Sequence, residues 1–160
     1  MKHQIARTVP FMALLLSLAV VAPAQADPSC SAARVSGDWG YTKTGILFLP
    51  TGAAVPFATI GKLTLEANGD LFGMNNGSVN GAVSTDVLRG SFQVNADCTG
   101  SMTVDVYDQV GTLLRTIGMA LVVDDDAKEI RGLVMSLTLP NGTGLRSVIT
   151  AQAKRVTRDE

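Results

Sequence analysis

The chain has 160 residues, 46% of them hydrophobic, and its 13 Lys and Arg nearly balance its 14 Asp and Glu. That length fits one domain with a sizeable buried core. The near-neutral charge supplies no basic stripe for phosphates, which argues against nucleic acid as a partner.

The first residues have the pattern of a secretory signal peptide. Lys2 and Arg7 give a basic start, residues 11–21 form an apolar run, and Ala24-Gln25-Ala26 offers the small-x-small pattern of a cleavage site. The apolar run is too short to span a bilayer. We therefore predict a signal peptide over residues 1–26 and a single exported domain over residues 27–160, periplasmic or secreted and not membrane-spanning after processing. The mature chain then contains no histidine and carries a net charge of −3, from 11 Lys and Arg against 14 Asp and Glu.

The chain has two cysteines, Cys30 and Cys98. In an oxidising compartment a disulfide is the natural interpretation, and it would close a loop of about 68 residues. In the chain-entropy model such a link contributes roughly 4 kcal/mol. The alternatives are a reactive thiol and a metal site, but two cysteines without histidine make a poor zinc site.

The first half of the mature chain predicts three strands. Strand one runs to about Leu49 and places Trp39, Tyr41 and Lys43 on one face, because successive side chains of a strand alternate. Strand two covers about residues 57–67, and Asn68-Gly69 then predicts a hairpin. The third strand begins near residue 70, and its pattern is weak because two Asn-Gly sequences, at residues 75–77 and 80–81, interrupt it.

Residues 85–108 give the clearest pattern in the chain, two strands folded back on one turn. The first arm places Leu88, Phe92 and Val94 on an apolar face opposite polar residues. The second arm does the same with Met102, Val104 and Val106, and residues 95–100 between the arms are turn formers. One apolar face and one polar face are typical of an antiparallel sheet around a single core.

Three more strands follow, over about residues 112–123, 130–139 and 145–155. In the second of these, alternation predicts that Leu133, Met135, Leu137 and Leu139 share the apolar face. No stretch has a convincing helical period. Eight strands joined by short turns predict an all-β fold, a single eight-stranded antiparallel up-and-down β-barrel, since closure removes both exposed edges. An open β-sandwich is the alternative.

Three further segments stand out: Ser36-Gly37-Asp38-Trp39-Gly40-Tyr41, Pro56-Phe57-Ala58-Thr59-Ile60-Gly61 and Val94-Asn95-Ala96-Asp97-Cys98-Thr99-Gly100. In these segments the chain resembles a group of small exported bacterial proteins with a lipocalin-like or allene-oxide-cyclase-like eight-stranded barrel. The segments are turns and strand starts rather than catalytic signatures. The resemblance therefore implies the fold and allows either a carrier or a cofactor-free cyclase.

The residue types exclude several kinds of chemistry. Without histidine in the mature chain, a Ser-His-Asp or Cys-His arrangement cannot form. No metal site, no cofactor and no catalytic set is predicted. The candidate ligand-binding residues are the aromatic and methionine side chains of the predicted inner faces: Trp39, Tyr41, Phe92, Met102, Met119 and Met135. The alternatives are that the methionines fill the core and that Trp39 and Tyr41 plug one end of the barrel.

The leading functional hypothesis is a monomeric or dimeric exported barrel that binds a small hydrophobic ligand, because an eight-stranded barrel can enclose one. Fatty acids, isoprenoids and aromatic polyketides are the expected classes. Two alternatives remain open: a cofactor-free cyclase or isomerase, and a structural or interaction module with a filled core. An apolar cavity would favour the carrier, a tyrosine or carboxylate pointing into a cavity the enzyme, and a filled interior the third hypothesis.

Overall fold

A computed structural model describes residues 30–124 and 126–156, so the predicted signal peptide and its cleavage site lie outside the described residues. The fold is a closed barrel of antiparallel strands in which each strand pairs with the next and the last pairs with the first. The predicted eight-stranded up-and-down barrel is confirmed, and the open sandwich is wrong. The strands are β1 (Gly37–Phe48), β2 (Ala54–Leu65), β3 (Asp70–Val79), β4 (Ala82–Val94), β5 (Thr99–Tyr107), β6 (Leu113–Val123), β7 (Glu129–Thr138) and β8 (Arg146–Arg155).

The central hairpin of β4 and β5 packs as its alternation predicts. Leu88 and Phe92 are buried, and across the ladder Met102 lies opposite both Phe92 on β4 and Met119 on β6. Gln93, on the outer face, is exposed. Residues from all eight strands form one core inside the barrel. Because successive side chains of a strand alternate, each residue of the candidate site points either into this core or outward.

The hairpin predicted at Asn68-Gly69 is confirmed, because β2 and β3 pair antiparallel on either side of it, but its turn is longer than two residues. Residues 66–69 form a four-residue turn in which Gly69 alone has a positive φ. The two-residue loop is Asn80-Gly81, where both residues have positive φ, as a type I′ turn requires. Strand β3 runs without interruption through residues 75–77, because Asn75 is buried inside the barrel while Asn76 accepts an outer-face hydrogen bond from Thr85.

Strand β7 contains a bulge. Because of this bulge, Leu133 and Met135 face outward, whereas alternation predicts that they face inward. The register of β7 with β6 shifts between Gly118 and Met119, so that two residues of β7 oppose one of β6. Val134 and Leu137 are both buried as a result, whereas Leu133 and Met135 point outward. The prediction that Met135 lies on the inner face is wrong, and its side chain is 67% exposed.

One end of the barrel is closed by α1 (Ala32–Val35), a single helical turn that is too short to show a period in the sequence. Ser31 caps it by accepting a hydrogen bond from the backbone N–H of Arg34. The predicted disulfide is confirmed: Cys30 joins Cys98 in the β4–β5 turn. The helices of residues 30–124 and 126–156 include none with the length and apolar character needed to cross a membrane.

Arg155, at the end of β8, stabilises this closed end of the barrel. Its guanidinium donates hydrogen bonds to the backbone carbonyls of Arg34, Ser36 and Ala127, and it lies 5.0 Å from the Trp39 ring centroid. Because these partners come from α1, from the segment after it and from the β6–β7 turn, one side chain holds three parts of the chain over the barrel mouth.

Candidate functional site

A cavity of about 40 Å³ lies inside the barrel beneath the closed end. Its lining is aliphatic and aromatic apart from two polar groups, those of Tyr41 and Lys43. The remaining side chains include Trp39, Leu88, Met102 and Met119. A cavity of that size has room for roughly one to three water molecules.

Trp39 forms the wall of the cavity on the side of α1. Its indole N–H donates a 2.8 Å hydrogen bond to the backbone carbonyl of Val35, which is fully buried. The indole N–H is therefore already hydrogen-bonded at the closed end of the barrel. Only the apolar surface of the ring faces the cavity.

Polar side chains occupy the next layer of the interior, on the far side of Tyr41. They come from five strands: Tyr41 and Lys43 on β1, Thr59 on β2, Asn75 on β3, Asp86 on β4 and Arg115 on β6. Strand pairing brings them together, because Tyr41 lies opposite Gly61, Gly61 opposite Asn75, and Asn75 opposite Asp86.

The charges of this interior polar cluster are not balanced. Asp86 is 1% exposed and forms an ion pair with Arg115, at 2.8 Å between Oδ2 and Nη2. Lys43 is a second cation, 4% exposed, with its Nζ 5.4 Å from the Tyr41 ring centroid. Two cationic side chains thus share one carboxylate in a region that solvates charge poorly.

Several atoms of the cluster have no hydrogen-bond partner among the described residues. They are the hydroxyl oxygens of Tyr41 and Thr59, both amide atoms of the Asn75 side chain, Oδ1 of Asp86 and Nε of Arg115. A buried polar atom left unpaired costs about 1–3 kcal/mol. Each of these atoms can form a further hydrogen bond, with a buried water molecule or with a ligand.

Burial sets the protonation of the two polar residues that line the cavity. Desolvation, aided by the positive charge of Arg115 and opposed by Asp86, lowers the pKa of Lys43 to about 8. Desolvation also raises the pKa of Tyr41 to about 12, although the neighbouring Asn75 side chain acts in the opposite direction. Near neutral pH Tyr41 is therefore protonated, and the uncharged form of the Lys43 amine is more accessible than that of an exposed lysine.

The predicted ligand-binding residues do not all meet at the cavity. Trp39, Tyr41, Met102 and Met119 line it. Phe92 is buried in the core but is not part of the lining. Met135 is on the outer surface, because the β7 bulge turns it away from the interior.

The interior polar cluster is the part of the site that sequence analysis missed. Lys43 was placed on the face of Trp39 and Tyr41, but Asp86, Asn75 and Arg115 were not singled out. Asp86 has the same alternation as Leu88, and Asn75 the same as the buried Leu71. Extending the strand alternation to polar residues would have placed these side chains inside the barrel.

The donor set of the described residues does not suit a metal. Nowhere in residues 30–124 and 126–156 do three or more His, Cys, Asp or Glu side chains form a group that could hold an ion. The interior instead combines a protonated tyrosine, a lysine and an apolar wall, a combination that can hold and orient a small organic molecule.

No protein-family profile and no curated protein matches the sequence. The solved structures of similar shape include the following two. One is a redesigned β-barrel, mFAP1, bound to DFHBI, with 14% identity over 78% of this chain and 97% of the other and a TM-score of 0.49. The other is the S-type phycobiliprotein lyase CPES from Guillardia theta, with 9% identity over 80% of this chain and 92% of the other and a TM-score of 0.45.

Proposed function

We propose that this barrel binds one small, predominantly apolar molecule in its interior, with the polar end of that molecule at Lys43 and Tyr41. The observation that carries the proposal is the position of these two side chains at the edge of an otherwise apolar cavity. Binding pockets for small molecules are mostly hydrophobic, with a few polar groups that fix the orientation of the ligand.

The unpaired polar atoms support binding over a purely structural role. A core that serves stability alone gains from apolar side chains at such positions, since each unpaired polar atom costs stability. Here the Tyr41 hydroxyl is buried without a well-formed hydrogen bond to the described residues, and the Asn75 side chain is its polar neighbour. A ligand oxygen or nitrogen atom that reached this hydroxyl would supply the missing partner.

The volume of the cavity limits the ligand. Pockets for drug-sized molecules measure roughly 300–1,000 Å³, whereas this cavity is about 40 Å³. Fatty acids, isoprenoids and polyketides enter only if Met102 and Met119 turn aside, which their flexible thioether side chains permit. Molecules of a few carbon atoms fit with smaller adjustments.

A cyclase or isomerase is the second candidate, and Tyr41 is the observation that favours it. Tyr41 lines the cavity and its hydroxyl is protonated, so the hydroxyl can donate a hydrogen bond to a reacting oxygen that comes within reach. A filled structural core is the third candidate, favoured by the small cavity volume.

The test is a titration of the purified protein with small apolar molecules, followed by the fluorescence of Trp39. This is the only tryptophan of the chain, and it lies in the cavity wall. We expect a saturable change in emission together with a higher melting temperature, because a ligand that prefers the folded state stabilises it. Met119→Trp should weaken binding by filling the cavity, and its own melting curve controls for folding. Unchanged fluorescence and melting across the panel would leave the filled structural core as the better explanation.

We also propose that the protein is exported and works in the periplasm or outside the cell. The basic and apolar N-terminal sequence supports this, and so does the Cys30–Cys98 disulfide, because disulfides persist in oxidising compartments.

A further inference from the structure

Lys43 differs from the other lysines of the described chain in where its amine lies. Strand β1 pairs it with Thr59 on one side and Ala151 on the other, which points its side chain into the barrel. The Lys43 side chain is part of the cavity lining, and its Nζ lies 5.4 Å from the Tyr41 ring centroid. Lys62 and Lys128 instead form ion pairs on the surface, and Lys154 is exposed.

The groups around Lys43 favour its uncharged form. Asp86 is the buried carboxylate of the cluster, and its ion pair with Arg115 already engages it. The other neighbours across the strands, Thr59 and Ala151, do not titrate. Burial and a second cation nearby are the two conditions that turn a lysine into a nucleophile at neutral pH.

We propose that Lys43 captures a small aliphatic aldehyde in the barrel cavity by forming an imine with it. The proposal rests on the proposed function, because the cavity must first admit the aldehyde. Nζ of the uncharged amine adds to the carbonyl carbon, and the carbonyl oxygen takes up a proton to give a carbinolamine. Loss of one water molecule then gives the imine. No oxidant or reductant is required.

Two other features of the site suit this chemistry. Tyr41 borders the same cavity, and its pKa of about 12 keeps its O–H protonated, so it can donate a hydrogen bond to the carbonyl oxygen. The cavity of about 40 Å³ admits the carbon chain of an aldehyde with two or three carbons after small movements of the lining side chains. Its apolar wall also keeps bulk water, which reverses imine formation, away from the new bond.

Reductive trapping tests the proposal. The folded protein is incubated at pH 7 with limiting propanal and cyanoborohydride, which reduces an imine to a stable propylamine, and the modified lysine is then located by peptide mapping. Apart from the N-terminal α-amine, which also reacts at pH 7, we expect one propyl group per chain, at Lys43, before Lys62, Lys128 or Lys154 reacts. Lys43→Arg retains the positive charge but forms no imine, so it should lose the fast modification. Prior unfolding in urea should abolish the preference for position 43.

Two results separate this inference from the proposed function. Propan-1-ol has the same carbon chain without a carbonyl, and its binding is followed through Trp39 fluorescence. If propan-1-ol binds but Lys43 reacts no faster than the exposed Lys154, the imine proposal is wrong and ligand binding stands. If propan-1-ol does not bind and Lys43 is not preferred, both are wrong. Preferential modification of Lys43 supports the imine in either case.

Discussion

At the scale of single residues, the interior position of Lys43 lowers the free energy of unfolding when its amine is charged. A pKa lowered from 10.5 to about 8 means that the folded state disfavours the charged amine by about 3 kcal/mol. The barrel retains this lysine in its interior, between an apolar cavity wall and the Asp86–Arg115 ion pair. We interpret that cost as a consequence of a binding role, since a methionine at this position would fill similar space without it.

The pH dependence of stability tests this interpretation. Below pH 8 Lys43 is charged in both the folded and unfolded states, and the full penalty applies. Between pH 8 and 10 the folded protein releases the proton while the unfolded chain keeps it, so stability should rise with pH. Tyr41, with its raised pKa, reverses the trend above pH 10, because only the unfolded chain then loses its phenolic proton.

Urea melts at pH 7 and pH 10 measure the effect. Lys43→Met should be more stable than the parent at pH 7, by up to about 3 kcal/mol, and the difference should shrink towards pH 10. Lys154→Met, on the exposed face of β8, is the matched control and should leave the pH profile unchanged. Parallel curves for the parent and Lys43→Met would show that Lys43 carries no such penalty.

Substitutions at Phe92 and Gln93 test which face of the central hairpin points into the barrel. Phe92 is 3% exposed inside the barrel, and Gln93 is on the outer face. Phe92→Ala should lower the free energy of unfolding by about 3–5 kcal/mol because it leaves a cavity. Gln93→Ala should stay within about 0.5 kcal/mol of the parent. Equal urea midpoints for the two variants would contradict the assigned faces.

At the scale of elements, inward-facing glycines allow the strands to approach closely where the barrel curves. A Cβ added at Gly61, opposite Tyr41, would collide with the Met74 carbonyl oxygen and lie 2.8 Å from Cβ of Asn75. Glycine in a strand interior marks such a close backbone approach. Gly61 thus lets β2 and β3 bring Asn75 to the cluster.

Gly61→Ala should therefore cost about 1–3 kcal/mol, as overpacking does. The comparison is Gly40→Ala on β1, where the new Cβ would lie 3.7 Å from Cγ2 of Val156, an ordinary contact. That variant should stay within about 0.5 kcal/mol of the parent. Thermal melts of both variants decide the matter, and a Gly61→Ala protein as stable as the Gly40→Ala protein would refute the close approach.

Elements with one apolar and one polar face could be predicted from the sequence, and this covers most of the barrel. Strands β4 and β5 follow from alternation alone. Strand β7 does not, because it has apolar residues on both faces, and the bulge that places Val134 inside and Met135 outside leaves no mark in a pattern of period two. The buried Asp86 and Asn75 were missed for another reason: a polar residue in a strand is taken to face water unless its neighbours argue otherwise.

At the scale of the whole molecule, the barrel is closed at one end by α1, the disulfide and Arg155. The disulfide ties Cys30, near the start of the described chain, to the β4–β5 turn. In the chain-entropy model, closing a loop of 68 residues contributes roughly 4 kcal/mol. Such a link requires oxidation, which suits a protein that leaves the cytoplasm.

Intact-mass measurement of the protein recovered from the periplasm or the medium tests the proposed export, processing and redox state together. The mature chain should begin at Asp27 and weigh two hydrogens less than its reduced form. Alkylation without a reductant should modify neither Cys30 nor Cys98, whereas alkylation after reduction should modify both. A mass that still includes Met1, or two reactive thiols before reduction, would contradict export with an intact disulfide.

The measurement that tests the proposed binding role most directly is native mass spectrometry. The protein is purified from the cells that make it and is then incubated with the panel of small apolar molecules. The account predicts one bound molecule per chain, lost on denaturation and absent from a folded Met119→Trp variant, because the indole would occupy the cavity bordered by Lys43 and Tyr41. Identical native and denatured masses across the whole panel would contradict it.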